Sequence, residues 1–386
     1  MRSDQGTKTA YQHNFGTGFE PAALRRDPSA DVLRGLGVLA VILYHSYFIA
    51  TSTKSIAHLA IDTSDLMDVF IKTFEPARMP SMMFIAGFFA WASLDRVPSL
   101  VFIERKIRSV LYPFLMWSLA YLSFKTTNSI FRGSLNTEEF FEHVMHPAAH
   151  MWFLGYIFIY FLLLAAFWRW KWMLLACAVG GMVFAEITDW KDLNKALFLL
   201  CFFTLGATLP RSAMRHIGNL ELNIKAILCA GMFLAVMLVV TGGLYRAKFD
   251  LQAIPVSAMA VIGMVMLAGI ISMIGGSIGE MMKYIGKMSL EVYLIHWIVI
   301  NMICVSLPDI LKRQQPDLVV LLVFALGVGI TVMVAQAAKI AGLRFLFVCP
   351  GQVLSTRGQA DPAKSSSPAS RDLMVGVKDA PSAPTH

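Results

Sequence analysis

Charge is scarce in this chain. Of its 386 residues, 15% are Asp, Glu, Lys or Arg, against about 25% in ordinary soluble domains. With 56% hydrophobic residues and a mean hydropathy of +0.61, a water-soluble body of this length is excluded. Cysteine is also sparse. The five residues at 177, 201, 229, 304 and 349 are dispersed and form no CxxC, which argues against a disulfide framework or a zinc site. They read as small apolar fillers of helix interiors. No ATP-binding fingerprint, no HExxH and no internal repeat is present. A cleavable leader is not expected either. The first apolar run starts only near residue 32, carries Tyr44 and His45 in its middle, and is followed by no small-x-small cleavage site. The net charge of +8 suits a membrane protein whose basic residues favour the cytoplasmic side. It carries no nucleic-acid meaning, and no nucleic acid is expected as a partner.

What is there is a succession of apolar blocks, such as 111–124, 151–168, 172–185, 226–240 and 318–334. Blocks of this kind predict an all-α, polytopic integral membrane protein in contact with lipid. About ten transmembrane helices are expected, near 32–50, 67–93, 108–124, 151–168, 172–187, 195–209, 224–241, 253–274, 284–306 and 318–340. Residues 1–29 read as a flexible N-terminal arm, 30–345 as the membrane domain and 346–386 as a disordered tail. That polar tail is too short to build a soluble domain. An even number of spans puts both termini on one side. Arg96, Arg105, Lys106, Arg108, the link 169–171 and the segment 211–225 place that side in the cytoplasm, whereas the loop after the third span carries Glu138, Glu139 and Glu142.

Five segments hold polar groups that an apolar span does not need. In the first, Arg34 and His45 are eleven positions apart, about 1100° of helix, so they share one face about 16 Å apart. Arg34 then marks a membrane interface and His45 sits near the midplane, where an ionisable group is a functional candidate. The Arg could hold a phosphate or pyrophosphate. A neutral imidazole could accept a hydroxyl proton. From spacing alone, a snorkelling Arg and an interhelical His bond account for the pair at least as well. In the second segment, Glu75 and Arg78 are three apart and flanked by Pro76 and Pro80. The prolines predict a break in the helix, with the charged pair lining a cavity on the outer side; an interfacial ion pair is the plainer reading. Third, Arg105 and Arg108 could clamp a phosphate or simply punctuate the cytoplasmic end of a span. Fourth, His143, His146 and His150 precede Trp152. Pro147 and the lack of an HExxH acid speak against a metal, and none is expected. Fifth, Glu291, Tyr293 and His296 enter an otherwise apolar span, and Tyr293 and His296 are i, i+3 neighbours.

Taken together, these segments resemble the membrane-bound acyltransferase-3 family. They match its R-x10-H first span (Arg34, His45), its proline-bearing second-span motif (ARMPSMMFIAGFF), its RxxR pair (Arg105, Arg108), its H-x-W-F-L start to span four (HMWFL) and its late S-x-x-x-Y-L-x-H (SLEVYLIH). The resemblance covers roughly residues 30–345. Two departures stand out. Ser81-Met82-Met83 replaces the bulky aromatic run after the proline, and Ala86 replaces the common Ser before Gly87. The soluble hydrolase-type domain attached to some members is missing from this sequence.

The resemblance implies a multi-pass enzyme of a bacterial inner membrane that O-acylates envelope carbohydrates. It implies acyl-CoA, most simply acetyl-CoA, as co-substrate, with no permanently bound cofactor. Arg34, Arg105 and Arg108 would hold the donor phosphates, and His45 would be the base or the acyl carrier. Glu75, Arg78, His150, Trp152, Tyr293 and His296 would line the acceptor cavity. Succinyl transfer to a glucan is a close variant. A secondary transporter and a non-catalytic partner in polysaccharide export are the competing readings. Oligomeric state is not written in these residues.

Overall fold

Every described element is helical. The computed structural model describes residues 28–51, 61–131, 136–138, 151–245, 249–307 and 315–351. Helix α1 (Pro28–Thr51) runs antiparallel to α2 (Asp65–Leu94). A short α3 (Ser99–Lys106) passes through a π-turn (Ile107–Leu111) into α4 (Tyr112–Phe131). Then come α5 (Trp152–Ala166), α6 (Lys171–Ile187), α7 (Lys191–Thr208) and α8 (Arg211–Asn219). They are followed by α9 (Leu222–Thr241), α10 (Ala253–Ile274), α11 (Gly276–Lys287), α12 (Ser289–Ser306) and α13 (Pro316–Ile340).

Six described segments are long and apolar enough to cross a membrane: 28–51, 168–187, 222–241, 253–274, 289–306 and 316–340. The remaining expected spans are shorter, as in α5, or more polar, as in α2, α4 and α7. The expected ninth span, 284–306, is not one helix. It divides at Met288, leaving an amphipathic α11 and an apolar α12. Gly275 and Gly276, both at positive φ (65° and 62°), make the turn that separates α11 from α10. The compact unit also runs past the expected end at 345, to Pro350. The Phe347 ring is buried and stacks on Trp117, whose indole N–H donates to the Leu346 carbonyl at 2.9 Å.

The break expected at Pro76 and Pro80 is absent, because α2 is helical through both. In water a proline's lost hydrogen bond is replaced by solvent, and the helix opens. In hydrocarbon the neighbouring helix supports the turn and opening it would expose more backbone, so the helix persists. Its start is well defined. Ser64 caps α2 by accepting from the Met67 N–H at 3.2 Å, and also donates from its own backbone N–H to Asp317 at the start of α13 at 2.9 Å.

Two glycine contacts set the helix register. A Cβ on Gly87 would fall on the Phe203 carbonyl, and one on Gly206 on the Phe84 carbonyl, so α2 and α7 touch backbone to backbone. Likewise a Cβ on Gly286 would meet the Asp31 carbonyl, and one on Gly35 the Met282 carbonyl, which joins α1 to α11. Small residues are how membrane helices approach this closely.

We expect Gly206→Ala and Gly286→Ala each to destabilise the fold by about 2 kcal/mol or more, seen as a lower melting temperature and loss of monodisperse protein in detergent. Gly231→Ala, where an added Cβ meets nothing within 4 Å, should leave both unchanged.

Candidate functional site

Antiparallel packing of α1 on α2 places two cations on aromatic rings about one Arg–His interval apart. Near the start of α1, the Arg34 guanidinium carbon lies 4.1 Å from the Phe89 ring centre; farther along, Arg78 of α2 lies 3.5 Å from the Tyr44 ring centre. Between α1, α2, α5, α7 and α12 is a cavity of about 180 Å³, lined by Val41, Tyr44, His45, Arg78, Met79, Trp152, Lys195, Phe249 and Tyr293. That is several times one water's share of liquid volume, about 30 Å³.

His45 does not stand alone there. Its Nδ1 is 2.8 Å from Nε2 of His296 on α12, and His296 Nδ1 is 2.6 Å from the Tyr293 carbonyl oxygen. His296 is fully buried. A carbonyl can only accept, so His296 Nδ1 carries a proton and donates it. With both rings neutral, His296 Nε2 is then an acceptor, and His45 Nδ1 must be the donor that faces it. The basic lone pair of His45 is therefore on Nε2. One main-chain carbonyl thus fixes the tautomer of two imidazoles in series. Trp297 packs edge-on to His45 with ring centres 5.0 Å apart and limits its rotation.

The cavity brings together several residues marked in the sequence, namely His45, Arg78, Trp152 and Tyr293, with His296 directly behind. Glu75 lies beside Arg78 but lines two smaller recesses, one with Tyr245 and Ser257 and one with Tyr44 and Phe74. No ion pair between Glu75 and Arg78 is formed; the Arg78 charge rests on the Tyr44 ring, while its Nε and Nη1 are buried with no hydrogen-bond partner among the described residues. His143, His146 and His150 lie outside the described residues.

The three arginines expected to hold phosphate sit at the other end of the bundle, where α1 begins. Arg34 is 3.4 Å from the Asp31 carboxylate. Arg105 is exposed. Arg108, on the π-turn, is 3.3 Å from Glu104 and donates to the Pro350 carbonyl at 2.8 Å, while the Cys349 N–H donates back to the Arg108 carbonyl at 3.1 Å. Arg108 is thus engaged by Glu104 and Pro350 while Arg105 is exposed.

Two cations escaped the sequence reading. Lys195, in the second turn of α7, lines the His45 cavity with its Nζ 3.5 Å from the Trp152 ring centre. A Lys at the first residue of an apolar run is indistinguishable from a span boundary. Lys106 lies against Phe161 at 4.2 Å, close enough to Arg34 to feel its charge. Within ERKIR its sequence position marks only the cytoplasmic charge bias.

A family model described as an acyltransferase domain, of the acyltransferase-3 type, matches residues 27–337. No curated protein and no solved structure matches the chain.

The tautomer assignment can be checked chemically. Diethyl pyrocarbonate acylates an imidazole through an unprotonated nitrogen, so peptide mass spectrometry should find His45 modified through the cavity and His296 spared. Equal modification of both would show that the relay is not made.

Proposed function

The chain belongs to the acyltransferase family whose domain spans 27–337, and from that membership we propose an integral-membrane O-acyltransferase that moves an acyl group from acyl-CoA to a carbohydrate hydroxyl. The donor approaches from the cytoplasm and the acceptor, an extracytoplasmic or lipid-linked glycan, from the opposite side. Both termini then face the cytoplasm, and the membrane is the bacterial inner membrane. The observation that carries this reading is the Tyr293 carbonyl–His296–His45 series ending at a cavity, with a cation-lined mouth one Arg–His interval away on the same helix.

At the mouth, Arg34 and Lys106 are like charges near one another on aromatic rings, Asp31 offsets one of them, and the remaining positive charge favours a bound anion. The CoA phosphates fit that need, with Arg105 and Arg108 on the adjoining turns. The pantetheine arm follows α1 inward by about 16 Å and presents the thioester to His45. His45 Nε2 removes the acceptor hydroxyl proton as the oxygen attacks the thioester carbonyl. The C–O bond forms, the C–S bond breaks, and the departing thiolate takes the proton back from His45. While the imidazolium exists, its Nδ1–H donates to His296 Nε2. That bond both orients the ring and stabilises the charge, the part a carboxylate plays in hydrolytic triads. The thioester supplies the driving force, and the acetyl group is the simplest cargo.

His45→Ala should abolish acylation while leaving folded protein in the membrane, read as loss of the acyl mass step on envelope glycans. His296→Ala should lower kcat by about 10²-fold. Arg34→Ala and Lys106→Ala should raise KM for acyl-CoA about tenfold with little change in kcat. Normal acylation in His45→Ala would remove the catalytic assignment.

A further inference from the structure

The cavity beside His45 is built for an anion. Two cationic side chains line it, from adjacent helices: Arg78 from α2 and Lys195 from α7. Neither makes an ion pair or a side-chain hydrogen bond to a carboxylate among the described residues. Arg78 lies on Tyr44, with its Nε and Nη1 buried and unpartnered. Lys195 lies on Trp152, with Tyr156 and Phe249 farther off at 5.9 and 5.7 Å. The nearby carboxylates are Glu75, one turn before Arg78 and facing the neighbouring recesses, and Asp192, one turn before Lys195. Both act only through space.

A neutral hydroxyl and an acetyl group do not explain this. Buried, unpartnered guanidinium N–H groups are costly, and two like charges facing one cavity repel. A bound carboxylate removes the repulsion between the two cations. It pairs with Arg78 and with the Lys195 ammonium while leaving His45 Nε2 to the reacting hydroxyl. The rings beneath the two cations hold them in place without neutralising them.

We propose that Arg78 and Lys195 form a subsite for a carboxylate carried by one of the two substrates, so that the transferred acyl group is a dicarboxylic half-ester or the acceptor is an acidic sugar. The proposal rests on the acyltransferase reading and narrows its substrate class.

The test uses the full chain in nanodiscs. In one arm, the affinities of butyryl-CoA and succinyl-CoA are compared, two four-carbon donors that differ in the terminal carboxylate. In the other, methyl glucoside and methyl glucuronide are compared for protection of His45 against diethyl pyrocarbonate. One arm should favour its anionic member about tenfold. Lys195→Met should erase that preference and Lys195→Arg restore it; should Lys195→Met not fold, Lys195→Gln replaces it. The donor arm responding means an anionic acyl group, and the sugar arm responding means an acidic acceptor. Equal affinities in both arms, or a preference unchanged in Lys195→Met, overturns the subsite. Failure of both CoA esters to bind overturns the acyltransferase reading instead and leaves the sugar arm to judge the anion site alone.

Discussion

Contact between helix backbones at two glycine pairs holds the polar centre in register. Gly35 meets the backbone of α11 and Gly286 meets that of α1. His45 is ten residues after Gly35, and His296 ten after Gly286. Beyond the break at Met288 the chain turns into α12, which packs along α1, and the two imidazoles meet at 2.8 Å. The second pair works in parallel. From the touching backbones at Gly87 and Gly206, nine residues back along α2 lies Arg78 and eleven back along α7 lies Lys195. Rises of about 14 and 16 Å bring both to the same cavity. A Cβ at these glycines would spread the helices and move four functional groups at once.

The choice of an imidazole behind His45 follows from the solvent. In water-exposed enzymes a carboxylate orients the catalytic histidine and stabilises its charged form. Deep in a bilayer a carboxylate would need its own counter-ion or a heavy desolvation penalty. His296 is neutral at rest, satisfies itself on the Tyr293 carbonyl of its own helix, and offers one lone pair to His45. It stabilises the imidazolium less than a carboxylate would, but it is far less costly to bury. In the proposed reaction the resting relay is a chain of neutral hydrogen bonds, and the two imidazoles carry charge only during the proton transfer.

Much of this was legible in the sequence. The Arg34–His45 face follows from helical period alone, and Tyr293–His296 from an i, i+3 spacing that the structure turns into a side-chain-to-carbonyl bond. Burial of charge in apolar runs pointed to Arg78. What misled was chemistry read as if in water. Pro76 and Pro80 promised a break, yet hydrocarbon punishes open backbone more than it punishes a proline. What stayed silent was long-range. Nothing local separates Lys195 at a span boundary from Lys195 in a cavity, because the difference is which rings α5 brings opposite it. Residues 346–350 read as tail, since the partners that fix them, Trp117 and Arg108, lie more than two hundred positions away.

The same device recurs at both ends of the proposed pathway. Arg34 rests on Phe89, Lys106 on Phe161, Lys171 on Trp91, Arg78 on Tyr44 and Lys195 on Trp152. Arg34 also has the Asp31 carboxylate at 3.4 Å; for Arg78 and Lys195 a carboxylate partner would hold the cation more tightly, but it would also cancel the charge. An aromatic face contributes about 2 kcal/mol when desolvated, which steadies a cation and leaves its N–H groups available. On the proposed reading, in which phosphates are drawn to one end of the bundle and a carboxylate to the cavity, that difference is functional. At Arg78 and Lys195, rings let a low-dielectric interior carry positive charge that is positioned and not yet spent on a counter-ion.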